Sequence, residues 1–517
     1  MPELARRSFL LALGAAAPGD RVRGYFSDFN AFPGDPVESH IPDERAFEWV
    51  MDLCPRFECP DAWVERVYYY RWWSLRKHLR KTPAGFIFTE FLRPVRHATD
   101  YNAVSCALGH HIAEARWLAD PVYLDEYLRF WLTSGEGGGF QRHYHAFSNW
   151  TAQAVFQRWL VDGRTPALLA LFDRLLDDYA FWERERLLPS GLFWQYDVRD
   201  GMEESISGGR RAKNARPTIN SYMFGNARAL ARIAQIAGRP AIAKSFQQKA
   251  ERLRALVENT LWDPESRFYK PRLETGALAG VREQIGFTPW FTSLPGARGG
   301  RAEAWRQLLD PEGFHAPFGP TTAEQRHPGF QIAESGDDCQ WNGPSWPFST
   351  TITLTALANL LESGVRVPVS VRDYFETFLI YARSHQIRLD DGRVAAFVDE
   401  NLNPFTGEWH ARARKLKKKT FYGRGDHYNH SAFCDLVITG LCGLRPREGG
   451  RVEVRPLVPE GAWDWFRLEG VRYQGRQLTI VWDRDGSKYG HGAGLRVEAD
   501  GRRVAGSRRL ERVRGTL

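Results

Sequence analysis

Along most of this chain the apolar residues recur at the spacing of one helix face. Val104, Leu108, Ile112 and Ala115 fall at i, i+4, i+8 and i+11, as do positions that share one side of a 3.6-residue spiral. Met223, Ala227, Leu230 and Ala234 make a second stripe, and Phe246, Ala250, Leu253 and Val257 a third directly after it. Asp61 is placed to cap a helix carrying Trp63, Val67 and the run Tyr68 to Trp73. The same spacing predicts helices over 121–133, 148–162, 165–183, 300–309, 349–363 and 371–385. The helix over 217–237 is the best punctuated, with Pro217 in its first turn and Gly238-Arg239-Pro240 as its stop. A last one, 431–443, sets Phe433, Leu436, Val437 and Leu441 together. About a dozen helices in consecutive pairs, with loops between them, predict an α/α toroid whose loops form a cleft at one end.

After Gly443 the period changes from helical to alternating. Val452 to Pro456, Phe466 to Leu468, Leu478 to Trp482 and Leu495 to Ala499 are short runs divided by turn residues, the pattern of a small antiparallel β domain. The chain thus divides into a leader (1–19), an irregular N-terminal arm (20–60), a helical domain (61–445) and a C-terminal β domain with a basic tail (446–517). In the leader, Arg6-Arg7 followed by a short apolar run and Ala15-Ala16-Ala17 has the form of a twin-arginine export signal. No later stretch has the ~18 apolar residues of a membrane span, and an exported protein is expected.

Composition adds one hint. Hydrophobic residues make up 43% and charged residues 26% of the 517, ordinary for a globular chain. The 19 tryptophans exceed what a core needs, and a flat apolar ring on a loop suits the flat face of a sugar. The net charge of +8 gathers at 412–419 and 502–514, read as solvated basic faces or as attraction to an acidic polymer rather than to nucleic acid. The six cysteines contain no CxxC pair, so no metal site is expected. Cys54 and Cys59 are spaced for a local disulfide, whereas Cys106, Cys434 and Cys442 read as small buried hydrophobes.

Three loops carry candidate chemistry. One runs Tyr196 to Gly209, another Trp341-Asn342-Gly343-Pro344-Ser345-Trp346-Pro347, and the third Asp399 to Gly407. Glu203 and Glu400 each lie in a Gly- or Asn-rich loop beside aromatic residues. Cleavage of a glycosidic bond needs two such carboxyls on opposite walls, one protonated for the leaving oxygen and one ionised for water.

The segment Asp200-Gly201-Met202-Glu203-Glu204-Ser205 resembles the acid-bearing loop of the inverting six-hairpin glycosidases, the group of mannosylglycerate hydrolase, trehalase and the processing α-glucosidases. Trp341 to Pro347 resembles their Trp-x-Gly-Pro-x-Trp-Pro segment at the sugar subsite. Glu400-Asn401-Leu402-Asn403-Pro404-Phe405-Thr406-Gly407 resembles Glu-x-x-Asn-Pro-x-Thr-Gly, whose Glu is the base. The resemblance covers roughly 60–445. It implies an (α/α)6 toroid, Glu203 as acid, Glu400 as base, a single displacement with inversion, an exo mode on an oligo- or polysaccharide, and no cofactor. The usual acid is Asp, so Glu203 is one methylene longer, and the adjacent Glu204 is the alternative acid.

Around this pair, Trp341 and Trp346 are expected as apolar walls of the sugar subsite, with Asn342 and Gly343 as polar contacts. Trp194 and Tyr196 lead into the acid loop as a further stacking surface, and Asn220 and Tyr222 begin the helix behind it. His427 and His430 precede the last helix and are read as partners for sugar hydroxyls rather than as metal ligands. Competing readings are a phosphorylase or a polysaccharide lyase on the same toroid, or a carbohydrate-binding relative without activity.

Overall fold

The computed structural model describes residues 18–32, 37, 39–296, 300–332, 339–410, 412–413 and 425–517. Residues 1–17, where an export signal is expected from the sequence, and most of the basic run 412–419 lie outside the described residues.

Six helices make an inner ring. They are α4 (Leu108–Ala115), α6 (Thr151–Asp162), α9 (Pro217–Ile236), α11 (Thr288–Phe291), α13 (Pro347–Glu362) and α15 (Phe433–Leu436). Each touches the next in that order, and α15 returns to α4 to close the circle. Against this ring stand α3 (Ala62–Lys77), α5 (Val122–Thr133), α8 (Phe172–Arg186) with the short α7 (Thr165–Ala170) before it, α10 (Pro240–Thr260), α12 (Arg306–Leu309) and α14 (Val371–Ser384). The chain is an (α/α)6 toroid.

The two circles differ as their sequences require. Inner α13 is buried around nearly its whole circumference, from Pro347 to Leu361, as befits a helix apolar on all sides. Outer α10 buries only the stripe Ala243, Phe246, Ala250, Leu253 and Val257. Asp61 caps α3 as expected, accepting from the N–H groups of Trp63 and Val64 at 2.9 and 3.0 Å. The last inner segment is shorter than predicted. It runs as α15 and then as a π-helical turn, Val437–Leu441. The side chain of Glu114 on α4 accepts from the N–H groups of Cys434 and Asp435 and so caps its start. Burial raises this carboxyl to about 7.

The segment 20–60 is not irregular. It holds α1 (Pro18–Asn30), α2 (Ala46–Leu53) and β1 (Arg56–Glu58). Val22, Tyr25, Phe26 and Phe29 bury one side of α1 against α3. Their spacing was masked in the sequence by the Pro- and Gly-rich residues on either side. Three hairpins connect ring elements: β2 (Leu79–Thr82) with β3 (Gly85–Phe88), β4 (Trp262–Asp263) with β5 (Phe268–Tyr269), and β6 (Gln386–Arg388) with β7 (Val394–Ala396).

Past the ring, β9 (Trp465–Tyr473), β10 (Arg476–Asp483), β11 (Gly494–Ala499) and β12 (Arg502–Ser507) form an antiparallel meander, and β8 (Arg451–Val454) pairs with β13 (Val513–Thr516). Strand β1 pairs with β9, Phe57 opposite Leu468, and so adds an N-terminal edge to the C-terminal sheet. The basic run at the C-terminus lies on the last strands. Arg512 meets Glu362 at 2.8 Å and Arg514 meets Glu453 at 3.5 Å, so part of its charge is spent within the fold. Cys54 and Cys59 are both free and buried, and the Cys59 thiol donates to the Asp61 carbonyl at 3.3 Å. Among the described residues no helix is long and apolar enough to cross a membrane.

Candidate active site

The loops singled out by sequence all precede an inner helix, so they gather where the inner helices begin. The acid loop leads into α9, the tryptophan loop into α13, and the segments 398–410 and 425–432 into α15.

The acid loop is pinned at several points and open in its middle. Asp200 is buried, accepts from Arg216 Nε and Ser148 Oγ at 2.6 Å each, and also accepts from the Thr218 hydroxyl. Farther on, buried Glu283 accepts from the Ser207 N–H at 3.1 Å and from its hydroxyl. Gly201 turns at φ +71, and a Cβ there would stand 2.6 Å from the Cys106 sulfur. Glu203 and Glu204 lie between these anchors, with Glu204 at φ +59.

Loss of water is the main force on Glu203 and pushes its carboxyl up to about 7. Arg210 and a backbone N–H pull it down, while Glu400 and Asp197 push it further up. Glu400 therefore lies within electrostatic reach of Glu203, although nearly two hundred positions separate them in sequence.

Glu400 belongs to the segment that leads into α15. The bridge Ser345–Leu402 fastens its loop to the tryptophan loop through reciprocal hydrogen bonds of 3.0 Å, and the bridge Leu402–Trp409 closes the Glu400 loop on itself. The Asp399 carboxylate accepts from the Glu400 N–H at 2.7 Å, and the Cys339 thiol donates to Glu400 Oε2 at 3.7 Å. Gly425 is required beside them, because a Cβ would approach Asp399 Oδ1 to 2.1 Å and Glu400 Cγ to 2.8 Å. Trp341 and Trp346 stack at 4.5 Å and 16°. Trp341 Nε1 and Asn342 Oδ1 are buried without a hydrogen-bond partner. Two carboxyls in different surroundings, one of them neutral near pH 7, beside a tryptophan stack, can serve as an acid and a base.

The model of the mannosylglycerate hydrolase MGH1-like glycoside hydrolase domain matches residues 100–431, and that of the C-terminal domain of glycosyl hydrolase family 65 matches residues 444–505. The chain belongs to the MGH1-like glycoside hydrolases. A solved structure named "Sialidase" is 42% identical at a TM-score of 0.90 over 96% of this chain and 44% of that chain. Mannosylglycerate hydrolase from Thermus thermophilus, solved with glucose, is 15% identical at a TM-score of 0.53, over 72% of this chain and 100% of its own. A rhamnosidase from Bacillus sp. GL1 is 14% identical at 0.54, over 86% of this chain and 41% of its own. The last two show the fold. The chain spans less than half of the sialidase-named chain.

Of the further residues expected at the site, His430 and Tyr222 lie in buried aromatic surroundings. His430 lies 3.8 Å from the Tyr428 ring and 6.0 Å from Trp346, and burial keeps it well below the usual imidazole range. Tyr222 packs on Trp150 at 4.7 Å within reach of the Asp200 charge, its hydroxyl buried without a partner. Gly343 is a packing requirement, since a Cβ would meet the Gln331 carbonyl at 2.0 Å.

Asn220 is corrected. Its side chain is spent on the Phe193 N–H, the Phe193 carbonyl and the Arg216 carbonyl, so it splices the acid loop to α9 and has nothing left for a ligand. His427 is corrected too. Tyr70 Oη sits 2.7 Å from its Nδ1, and Phe32, Trp73 and Phe397 box its ring beside a separate cavity of about 230 Å³. Trp194 and Tyr196 pair at 5.0 Å, but Arg186 and Lys213 lie 4.5 and 5.0 Å from the Trp194 ring. Cations thus occupy ground that a stacked sugar would need. Among the described residues no group of three metal-ligating side chains occurs.

The sequence reading missed Glu90, Cys106, Cys339 and Tyr428. Tyr428 donates to Glu90 Oε1, and the charges of Glu90 and Glu203 both act on Cys106, whose thiol burial raises. Glu90 gives no local signal beyond standing next to Phe91-Leu92-Arg93-Pro94.

Proposed function

We propose that this glycosidase releases a terminal sugar from an oligo- or polysaccharide by single displacement with inversion. Glu203 gives its proton to the leaving oxygen, and Glu400 takes a proton from the water that attacks the opposite face of the anomeric carbon. The glycosidic C–O bond breaks as the new one to water oxygen forms, and both protons are accounted for by the two carboxyls. One observation carries the reading: loss of water holds Glu203 protonated up to about pH 7 while Glu400 stands within reach of its charge. A protonated carboxyl at neutral pH is what an acid catalyst needs and what an exposed Glu is not.

The tryptophan stack supports a sugar ring, and the enclosed setting of the acid favours one end sugar over a long chain lying across the cleft. The name carried by the 42% identical structure belongs to a much longer chain, so sialosides enter the test as one substrate class among several. The Arg6-Arg7 leader supports export. A reporter fused to residues 1–30 and blocked by Arg6→Lys/Arg7→Lys would show it.

The test is a screen of aryl glycosides and polysaccharides, with the first-formed anomer read by proton NMR. Inverted product, and loss of turnover in Glu203→Gln and Glu400→Gln, are expected. Retained configuration sinks the mechanism. Turnover that requires phosphate would instead favour a phosphorylase, which has no need of Glu400.

A further inference from the structure

Glu400 sits on a loop, and a base must be held to within about 0.5 Å of the geometry that its water requires. Its own loop does part of this, since the Asp399 carboxylate accepts from the Glu400 N–H at 2.7 Å. The segment 425–430 does more. Gly425 lies against both acids, so close that a Cβ would stand 2.8 Å from Glu400 Cγ. The chain turns at this point. The Tyr428 N–H donates to the Gly425 carbonyl at 3.0 Å and to the carbonyl of Val398, two residues before Glu400, at 3.3 Å. His427, inside the turn, has φ +60, a left-handed conformation that costs energy in any residue with a side chain. A turn of this kind keeps its shape only when its surroundings hold it.

Part of that hold comes from the residues after β3. The Tyr428 hydroxyl donates to Glu90 Oε1. The next residue, Asn429, gives its backbone N–H to the Glu90 carbonyl at 3.2 Å and its side-chain amide to the Thr89 carbonyl at 3.1 Å. Glu90 and Tyr428 are 4% and 5% exposed. Phe91 and His430 pack on the Tyr428 ring at 4.6 and 3.8 Å. Burial, followed by the charges of Glu90 and Glu400, keeps the Tyr428 hydroxyl protonated, so it is the donor of the pair. In so buried a place, a hydroxyl that loses its acceptor finds no water to replace it.

We propose that Glu90 is a positioning residue for the base: through Tyr428 it fixes the turn 425–428, and the turn fixes the Glu400 carboxylate. The inference rests on Glu400 being the base. Neither Glu90 nor Tyr428 exchanges a proton with the substrate, and their effect falls on the attack of water rather than on protonation of the leaving oxygen.

The test is steady-state kinetics of the full chain on two substrates from the screen that share a sugar, one with a good leaving group and one with a poor one. Tyr428→Phe keeps the ring and removes only the hydroxyl, so kcat should fall about tenfold or more with KM little changed. Glu90→Ala should do the same, and Glu90→Gln, whose amide oxygen can still accept, should recover most of the loss. The double variant Glu90→Ala/Tyr428→Phe should be no slower than the worse single one, because both break one link. Tyr428→Phe serves alone if Glu90→Ala does not fold. The loss should be similar on both substrates, since a good leaving group relieves the acid and not the base. A loss repaired by the good leaving group would move the effect to Glu203, by way of Cys106, and overturn the assignment. Wild-type kcat in Tyr428→Phe, or losses that multiply in the double variant, would overturn it while an inactive Glu400→Gln leaves the base reading standing. A Glu400→Gln variant as fast as wild type would instead remove the base reading, and this proposal with it.

Discussion

The two ends of the six-helix ring handle buried charge in opposite ways. Where the inner helices begin, carboxyls predominate: Asp200 is neutralised by Arg216, whereas Glu203, three residues on, is left short of water and proton-bound. Where the helices finish, guanidiniums predominate, and Arg445 is buried without hydrogen-bond acceptors at two of its nitrogens. A group with a committed partner holds the backbone in place, and a carboxyl that has lost its water without one keeps its proton. The same contrast occurs within the acid loop itself, so the loop can be rigid at its anchors and reactive between them.

The sharpest break in that contrast comes from removing the acid or the base. Glu203→Gln and Glu400→Gln should each lower kcat by about 10²–10⁴-fold, measured on the best substrate of the screen. A substrate with a good leaving group should recover much of the Glu203→Gln loss and little of the Glu400→Gln loss. Removing an anchor should show up in stability instead. Asp200→Asn leaves the Arg216 guanidinium buried beside a neutral amide, and urea denaturation should report a loss of about 3–5 kcal/mol.

The pH dependence separates the two kinds of group. Glu203 is raised in the folded state from an ordinary value of 4.5 to about 7, so the folded chain keeps a proton that the unfolded chain releases. Its contribution is fully present below pH 4.5 and is lost as pH rises through about 7, by up to about 3 kcal/mol. Glu203→Gln should flatten this slope and be the more stable protein at about pH 8, as followed by thermal melts across that range. Activity of the wild type should decline above pH 7 as the acid ionises.

A subtler probe moves a carboxylate without deleting it. Gly425→Ala puts a methyl against Asp399 and Glu400 and should reduce kcat more than it raises KM. The smallest effect is expected far from either end. Ser370 and Asp373 form a capping box at the start of α14, and Ser370→Ala should cost about 0.5–2 kcal/mol with kcat unchanged.

Much of the ring was legible because helix periodicity is a local property. The stripe on α10 falls where the spacing of Phe246, Ala250, Leu253 and Val257 puts it. The three loops were legible because Gly, Pro and Asn interrupt that period beside Trp and Glu. Asn220 and His427 were misplaced for the converse reason. A polar residue near a functional loop has the same sequence signature whether it faces the cleft or ties down backbone, as Asn220 does with Phe193. Glu90 had no signature beyond its place beside Phe91, and Cys339, two residues before Trp341, is a lone thiol that forms no pattern.

By itself, then, the chain specified which stretches are helices, where they stop and which loops hold acidic and aromatic side chains, because propensity, capping and periodicity act over a few residues. Only the closed ring decided that Glu203 would lie near Glu400 and lose its water, that β1 would edge a sheet about four hundred residues away, and that Arg445 would be buried without acceptors at two nitrogens. Burial and electrostatic reach depend on distance in space, and no run of neighbouring residues encodes that distance.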